Sequence, residues 1–149
     1  MALRRLIAGA LLGAAVAGAA GCGAANATPP DGPAPGGDGG RTVRAGEEFT
    51  LAPGGAARTA DGFAVRFTGV PEDSRCPQEV DCAWEGDATV TVEITAAGAS
   101  PVARELHTNR RFATATAAGG RTVRLLGLAP AARQGGVPAA EYRARLAIG

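Results

Sequence analysis

The plainest pattern in the chain lies between Asp87 and Ala96. There Ala88, Val90, Val92 and Ile94 alternate with Thr89, Thr91, Glu93 and Thr95. A period of two with one apolar and one polar face predicts a half-buried β-strand. Phe63–Thr68 repeats the pattern, with Phe63, Val65 and Phe67 on the apolar side. So does Glu141–Ile148, where Tyr142, Ala144, Leu146 and Ile148 oppose Arg143 and Arg145. Shorter runs at Glu48–Leu51, Val102–His107, Arg111–Thr116 and Thr122–Leu128 are further strand candidates. Between them stand Pro53-Gly54-Gly55, Asp61-Gly62, Gly98, Gly119-Gly120 and Gly135-Gly136, each a turn signal. No long stretch keeps an apolar period of 3.6, and Ala129–Arg133 has room for a single helical turn after Pro130. Residues 41–149 are therefore expected to form one all-β domain of six to seven strands. Its architecture is an antiparallel β-sandwich, immunoglobulin-like, or a small barrel.

The start of the chain has a different pattern. Arg4 and Arg5 precede the uncharged run Leu6–Ala20. At about 1.5 Å per residue that run covers roughly 22 Å as a helix, short of the roughly 30 Å hydrocarbon core of a bilayer. It reads as a signal peptide rather than a permanent span. Ala19-Ala20-Gly21-Cys22 resembles the lipobox of bacterial lipoproteins, with Ala19 where Leu is commoner. The resemblance implies that residues 1–21 are removed and that Cys22 carries a diacylglyceryl lipid on its thiol. Ordinary signal cleavage with an unmodified Cys22 is the alternative. From Gly23 to Gly40 the chain is Gly, Ala, Pro and Asp with a few other small polar residues. With no large apolar side chain to bury, such a segment cannot offset its ordering entropy. Residues 22–40 are expected to be a lipidated tether, whose flexible part has an r.m.s. span of roughly 23 Å.

Charge narrows the partners. The 149 residues carry 15 Arg, no Lys and 14 acidic residues. Removal of Arg4 and Arg5 leaves thirteen Arg against those fourteen acids. A nucleic-acid binder needs a basic surplus, so that class is excluded, and attachment to a membrane rests on the lipid rather than on charge. Three cysteines in an exported chain leave one over. With Cys22 lipidated, Cys76 and Cys82 remain as a disulfide pair for an oxidising compartment. The expected location is the cell envelope. By family analogy, Gly23 rather than Asp after the lipidated Cys places the protein on the outer membrane facing the periplasm in a Gram-negative cell. Otherwise it sits on the outer face of the cytoplasmic membrane.

The rare residues gather in Pro71–Gly86, PEDSRCPQEVDCAWEG. Its DSRCP-x4-C-x-W-x-G arrangement resembles a group of small bacterial lipoproteins in which the motif links one strand to a Val/Ala-alternating strand. Ala83 stands where an aliphatic residue is usual. The resemblance implies a secreted β-domain and carries no activity or site. On the residues themselves, a Cys76–Cys82 bond closes a seven-residue ring, which stabilises by about 2.4 kcal/mol in the chain-entropy account. Trp84, two residues past Cys82, is placed to cover the disulfide; Asp73 and Arg75 are placed to pair or to cap loop amides. Two readings follow. The segment is a stapled crossover between sheets, or it is a rigid loop offering Asp73, Arg75, Pro77, Gln78, Glu79, Asp81 and Trp84 to a partner.

Catalytic parts are scarce. His107 is the only histidine, and Ser74 and Ser100 are the only serines, neither in a nucleophile elbow. His107, at a strand end beside Thr108-Asn109, is expected to be solvated or bonded to backbone. Adjacent carboxylates such as Glu47-Glu48 and Glu72-Asp73 point to opposite faces of a strand. One His and two Cys fall short of a zinc site, and no calcium loop or phosphate loop is present. The reading is thus a lipid-anchored envelope protein with a non-catalytic binding or structural head, no metal and no cofactor beyond the lipid on Cys22. Its partners are the membrane, through that lipid, and an envelope or secreted protein. Two alternatives stand beside it. One is an inhibitor of secreted proteases acting through loop 71–86 with Arg75; the other is a small envelope enzyme built on His107.

Overall fold

The structure, a computed structural model, describes residues 40–149. The expected signal peptide, Cys22 and all of the expected tether but Gly40 lie outside the described residues. The chain forms β1 (Arg41–Thr42), β2 (Glu48–Leu51), β3 (Ala56–Arg58), β4 (Ala64–Asp73), β5 (Ala88–Thr95), β6 (Val102–His107), β7 (Ala115–Ala118), β8 (Arg121–Ala129) and β9 (Arg143–Ile148). One 3-10 turn, Ala139–Glu141, precedes β9. One sheet has the order β1-β3-β4-β5-β6 and the other β2-β9-β8-β7. All neighbours are antiparallel except the two-residue pairing of β1 with β3. Both sheets keep separate edges, so the architecture is a sandwich and not a barrel.

The alternations seen along the chain become the two inner faces. Ala88, Val90, Val92 and Ile94 of β5 are buried, as are Val65 and Phe67 of β4 and Leu106 of β6. From the second sheet, Phe49, Leu51, Val123, Leu125, Ala144, Leu146 and Ile148 complete the core. Each fully buried large side chain contributes about 1.5–3 kcal/mol of transfer free energy. The outward positions between them are mostly Thr, Glu and Arg, as the period of two requires.

Several expectations are corrected. There are nine strands rather than six or seven, because β1 and β3 are two and three residues of a Gly/Ala-rich stretch with too little contrast to show a period. β4 runs on past Thr68 through Pro71 to Asp73, with register shifts on either side of Gly69 that let the strand bend. The strand expected at Arg111–Thr116 is instead Ala115–Ala118. Asn109 Oδ1 accepts the Arg111 amide and its carbonyl accepts the Phe112 amide, which makes 109–112 a turn. No helical turn forms at Ala129–Arg133, since β8 continues to Ala129. The 71–86 segment does not cross between sheets. β4 and β5 are antiparallel neighbours in one sheet, and the segment is the hairpin connection between them.

Candidate functional site

The hairpin keeps its ladder beyond the sheet. The Ser74 amide donates to the Asp87 carbonyl at 2.7 Å and the Cys76 amide to the Glu85 carbonyl at 3.0 Å. Ser74 Oγ donates to the same Asp87 carbonyl at 3.0 Å. Gly86 makes this approach possible. Its φ is +69°, and a Cβ there would lie 1.9 Å from the Ser74 carbonyl oxygen. At the far end Cys76 and Cys82 are disulfide-bonded with Cα atoms 5.9 Å apart.

The base of the hairpin is braced against the second sheet. Arg75 donates to both carboxylate oxygens of Asp73, from Nε to Oδ1 at 2.8 Å and from NH2 to Oδ2 at 2.6 Å. It also donates to the carbonyls of Leu128 at 2.9 Å and Pro130 at 3.1 Å, at the end of β8. Tyr142, just before β9, donates its hydroxyl to Asp73 Oδ2 at 3.0 Å. Burial pushes the Asp73 pKa up, but the bonds from Arg75 and Tyr142 outweigh it and hold the carboxyl below its ordinary value. Burial, reinforced by the Asp73 charge, pushes Tyr142 up. Further out, the Gln78 amide donates to the Ala132 carbonyl and the Gln134 amide to Glu79 Oε2. Hairpin and β8–β9 connection thus close one end of the sandwich together.

The seven candidate residues therefore divide. Asp73 and Arg75, with side chains 12% and 14% exposed, are engaged at the base and are not presented outward. Arg75 is thus not displayed as the contact residue that the protease-inhibitor alternative placed on this loop. Pro77 is half-buried, whereas Gln78, Glu79, Asp81 and Trp84 are exposed. Trp84, the only tryptophan, is 79% exposed. It is not the cover over the disulfide that its spacing suggested.

Two contributors escape sequence reasoning. Asp87 Oδ1 accepts the Asn109 amide at 2.8 Å and the Thr108 hydroxyl at 3.1 Å, while Oδ2 meets His107 Nδ1 at 2.7 Å. Burial raises the Asp87 pKa, and these three bonds bring it below the ordinary carboxylate value. His107 is accordingly bound to a carboxylate, not solvated or backbone-bonded, and its ring lies 5.1 Å from that of Phe112. Asn109 Nδ2 donates to the Gly86 carbonyl at 2.9 Å. These bonds tie the β6–β7 turn to the root of the hairpin and bring Arg110 and Arg111 beside Trp84. The result is an open cleft of about 700 Å³ lined by Trp84, Glu85, Thr108, Asn109, Arg110 and Arg111. The TNRR run and the rare tryptophan are legible in the sequence; their meeting across about twenty-five residues is not.

Ser74 Oγ is bonded to the Asp87 carbonyl and His107 Nδ1 to the Asp87 carboxylate, so this serine and histidine do not form a nucleophile–base pair. Among the described residues no group of three or more His, Cys, Asp or Glu is placed to hold a metal ion. No protein family, curated protein or solved structure matches the chain.

Proposed function

We propose that this chain is a lipid-anchored envelope protein whose β-sandwich head is a non-catalytic binding module, working through the outer half of the 74–87 hairpin. The observation that carries this reading is the contrast along one hairpin. Its base is held by Arg75, Asp73 and Tyr142, and its outer half carries Trp84 with 79% of its surface in water. An exposed indole forgoes about 1.5–3 kcal/mol of burial, and tryptophan is among the residues that dominate binding energy at interfaces. A loop already ordered by a disulfide and by bonds to a second sheet has little entropy left to lose when a partner docks. The lipid on Cys22 and the tether that follows would let such a head stand off the membrane and sample orientations.

Photocrosslinking of the full lipidated protein in its own cells tests the proposal, with the reactive group at position 84 and, as a control, at Glu93 on the outer face of the first sheet. A product formed from position 84 and not from 93 is the expected result. Equal labelling from both positions, or none from 84, overturns it. Intact mass of the same material checks the anchor, which requires an acylated Cys22 and the loss of two hydrogens at Cys76 and Cys82.

A further inference from the structure

We infer that the cleft between Trp84 and the Arg110–Arg111 turn binds an acidic glycan, a chain of sugar rings carrying carboxylate or phosphate groups. The inference rests on the binding reading above and names its ligand. Three features of the cleft lead to it.

The first is uncompensated positive charge. Several arginines of the head are already paired, as Arg75 is with Asp73 and Arg121 with Asp61. The guanidinium groups of Arg110 and Arg111 have no acidic partner among the described residues, and neither has that of Arg124. Arg110 and Thr108 also line a neighbouring cleft of about 590 Å³, which exposed Arg124 of β8 lines as well. Glu85 is the one opposing charge in the first cleft. In the second, His107 is matched by Asp87 and Arg75 by Asp73. The two adjoining clefts therefore present three arginines against one glutamate. Arginine forks hold carboxylate and phosphate groups through paired N–H donors.

The second is the character of the walls. Trp84 supplies one flat apolar surface, and the rest of the lining is almost wholly Thr, Asn, Glu and Arg. A sugar ring has that same division, an apolar face for the indole and a rim of hydroxyls for polar groups. An acidic peptide would satisfy the arginines, as arginine clusters do for acidic motifs, but it offers the indole no sugar-like ring face and finds no free hairpin backbone to pair with. Here the backbone of the hairpin is paired across its own rungs at Ser74–Asp87 and Cys76–Glu85, and the Gly86 carbonyl is taken by Asn109.

The third is rigidity. Asn109 is fixed on both sides, donating to Gly86 and accepting from the Arg111 amide, and Asp87 holds the Asn109 amide. The arginines are thus mounted on a turn that is bonded to the hairpin bearing the indole. Two adjoining clefts joined at Arg110 suit an extended ligand of several rings.

Trp84 is the sole tryptophan, so its fluorescence reports the cleft directly. The test uses the full lipidated protein in neutral detergent, titrated with an oligogalacturonate, a phosphorylated mannan oligosaccharide, neutral maltooligosaccharide of equal length and oligoglutamate. Saturable quenching or blue shift with either acidic sugar, weakened by salt, is expected, and the stronger of the two identifies the anion. R110A/R111A should weaken binding by about tenfold or more, as should W84A followed by calorimetry. R104A, on exposed β6 away from the cleft, should bind as wild type. Equal binding of maltooligosaccharide or of oligoglutamate overturns the inference, as does no binding of any acidic sugar. If acidic sugars fail while crosslinking from position 84 persists, the ligand assignment falls and the binding head stands. If both fail, both fall.

Discussion

The Tyr142 hydroxyl donates to Asp73 Oδ2 at 3.0 Å, joining the last residue before β9 to the last residue of β4 across the two sheets. The same carboxylate holds Arg75, which in turn reaches the carbonyls at the end of β8. One aspartate therefore fastens the root of the hairpin to both strands of the opposite sheet that flank the 130–142 connection. Trp84, on the outer half of the same hairpin, takes no part in these hydrogen bonds.

Removing the parts of that network should have graded costs. Tyr142→Phe deletes one bond to a carboxylate that keeps Arg75, and about 1–2 kcal/mol of stability should be lost. Arg75→Ala takes the guanidinium and its two bonds from the half-buried Asp73 carboxylate, which keeps the residue-75 amide and the Tyr142 hydroxyl, and about 2–3 kcal/mol is expected. Urea denaturation of the two variants checks the order; equal stability of Arg75→Ala and wild type would show the network to be ornamental.

Gly86→Ala should be among the most damaging substitutions in the head. It combines a positive φ with a Cβ 1.9 Å from the Ser74 carbonyl oxygen, and about 3–5 kcal/mol is expected. Gly98→Ala is the matched control, since its φ is +73° with nothing within 4 Å, and about 1 kcal/mol is expected from backbone strain alone. Thermal melts of both variants separate the clash from the strain.

Breaking the disulfide should loosen the hairpin and spare the sandwich. None of the core residues comes from the 74–87 segment. Cys76→Ser/Cys82→Ser should cost about 2 kcal/mol while far-ultraviolet circular dichroism stays as in wild type. In the unmodified protein neither cysteine should react with a maleimide until a reductant is added.

Acid should act through identifiable carboxylates. Asp73 and Asp87 are held below the ordinary carboxyl range, and Asp61 is lowered to about 2 by the Thr59 hydroxyl and the Arg121 guanidinium. A carboxyl whose folded pKa lies under its unfolded value of about 3.9 contributes stability that is complete above that value and is lost as pH falls through the folded one. These groups should leave the melting temperature unchanged between about pH 7 and pH 5 and lower it between about pH 4 and pH 2. Asp73→Asn should make that acid limb shallower. A wild-type fall above pH 5 that Asp73→Asn removes would contradict the assignment.

The strands with strong contrast are legible in the order of residues alone. β2 and β6 have the limits their alternation predicts, and β5 differs by a residue at each end. Tyr142, Ala144, Leu146 and Ile148 are all buried as their spacing implies. The misses have a common cause. β1 and β3 pair through backbone in the short runs Arg-Thr and Ala-Ala-Arg, where side chains carry almost no signal. The strand expected at Arg111 gives way to a turn because one asparagine side chain competes for the backbone amide.

By itself the amino-acid sequence determined that the domain is all-β, which residues face inward, and that Cys76 and Cys82 pair once Cys22 is set apart. Those properties follow from period and parity, which are local or countable. Only the tertiary structure decided that the motif is a hairpin rather than a crossover, that Arg75 points to β8 and Trp84 to water, and that Asp87 joins His107 and Asn109 into one wall. Those depend on pairings between residues from about thirteen to seventy positions apart, and separations of that length are set by how the strands and sheets pack.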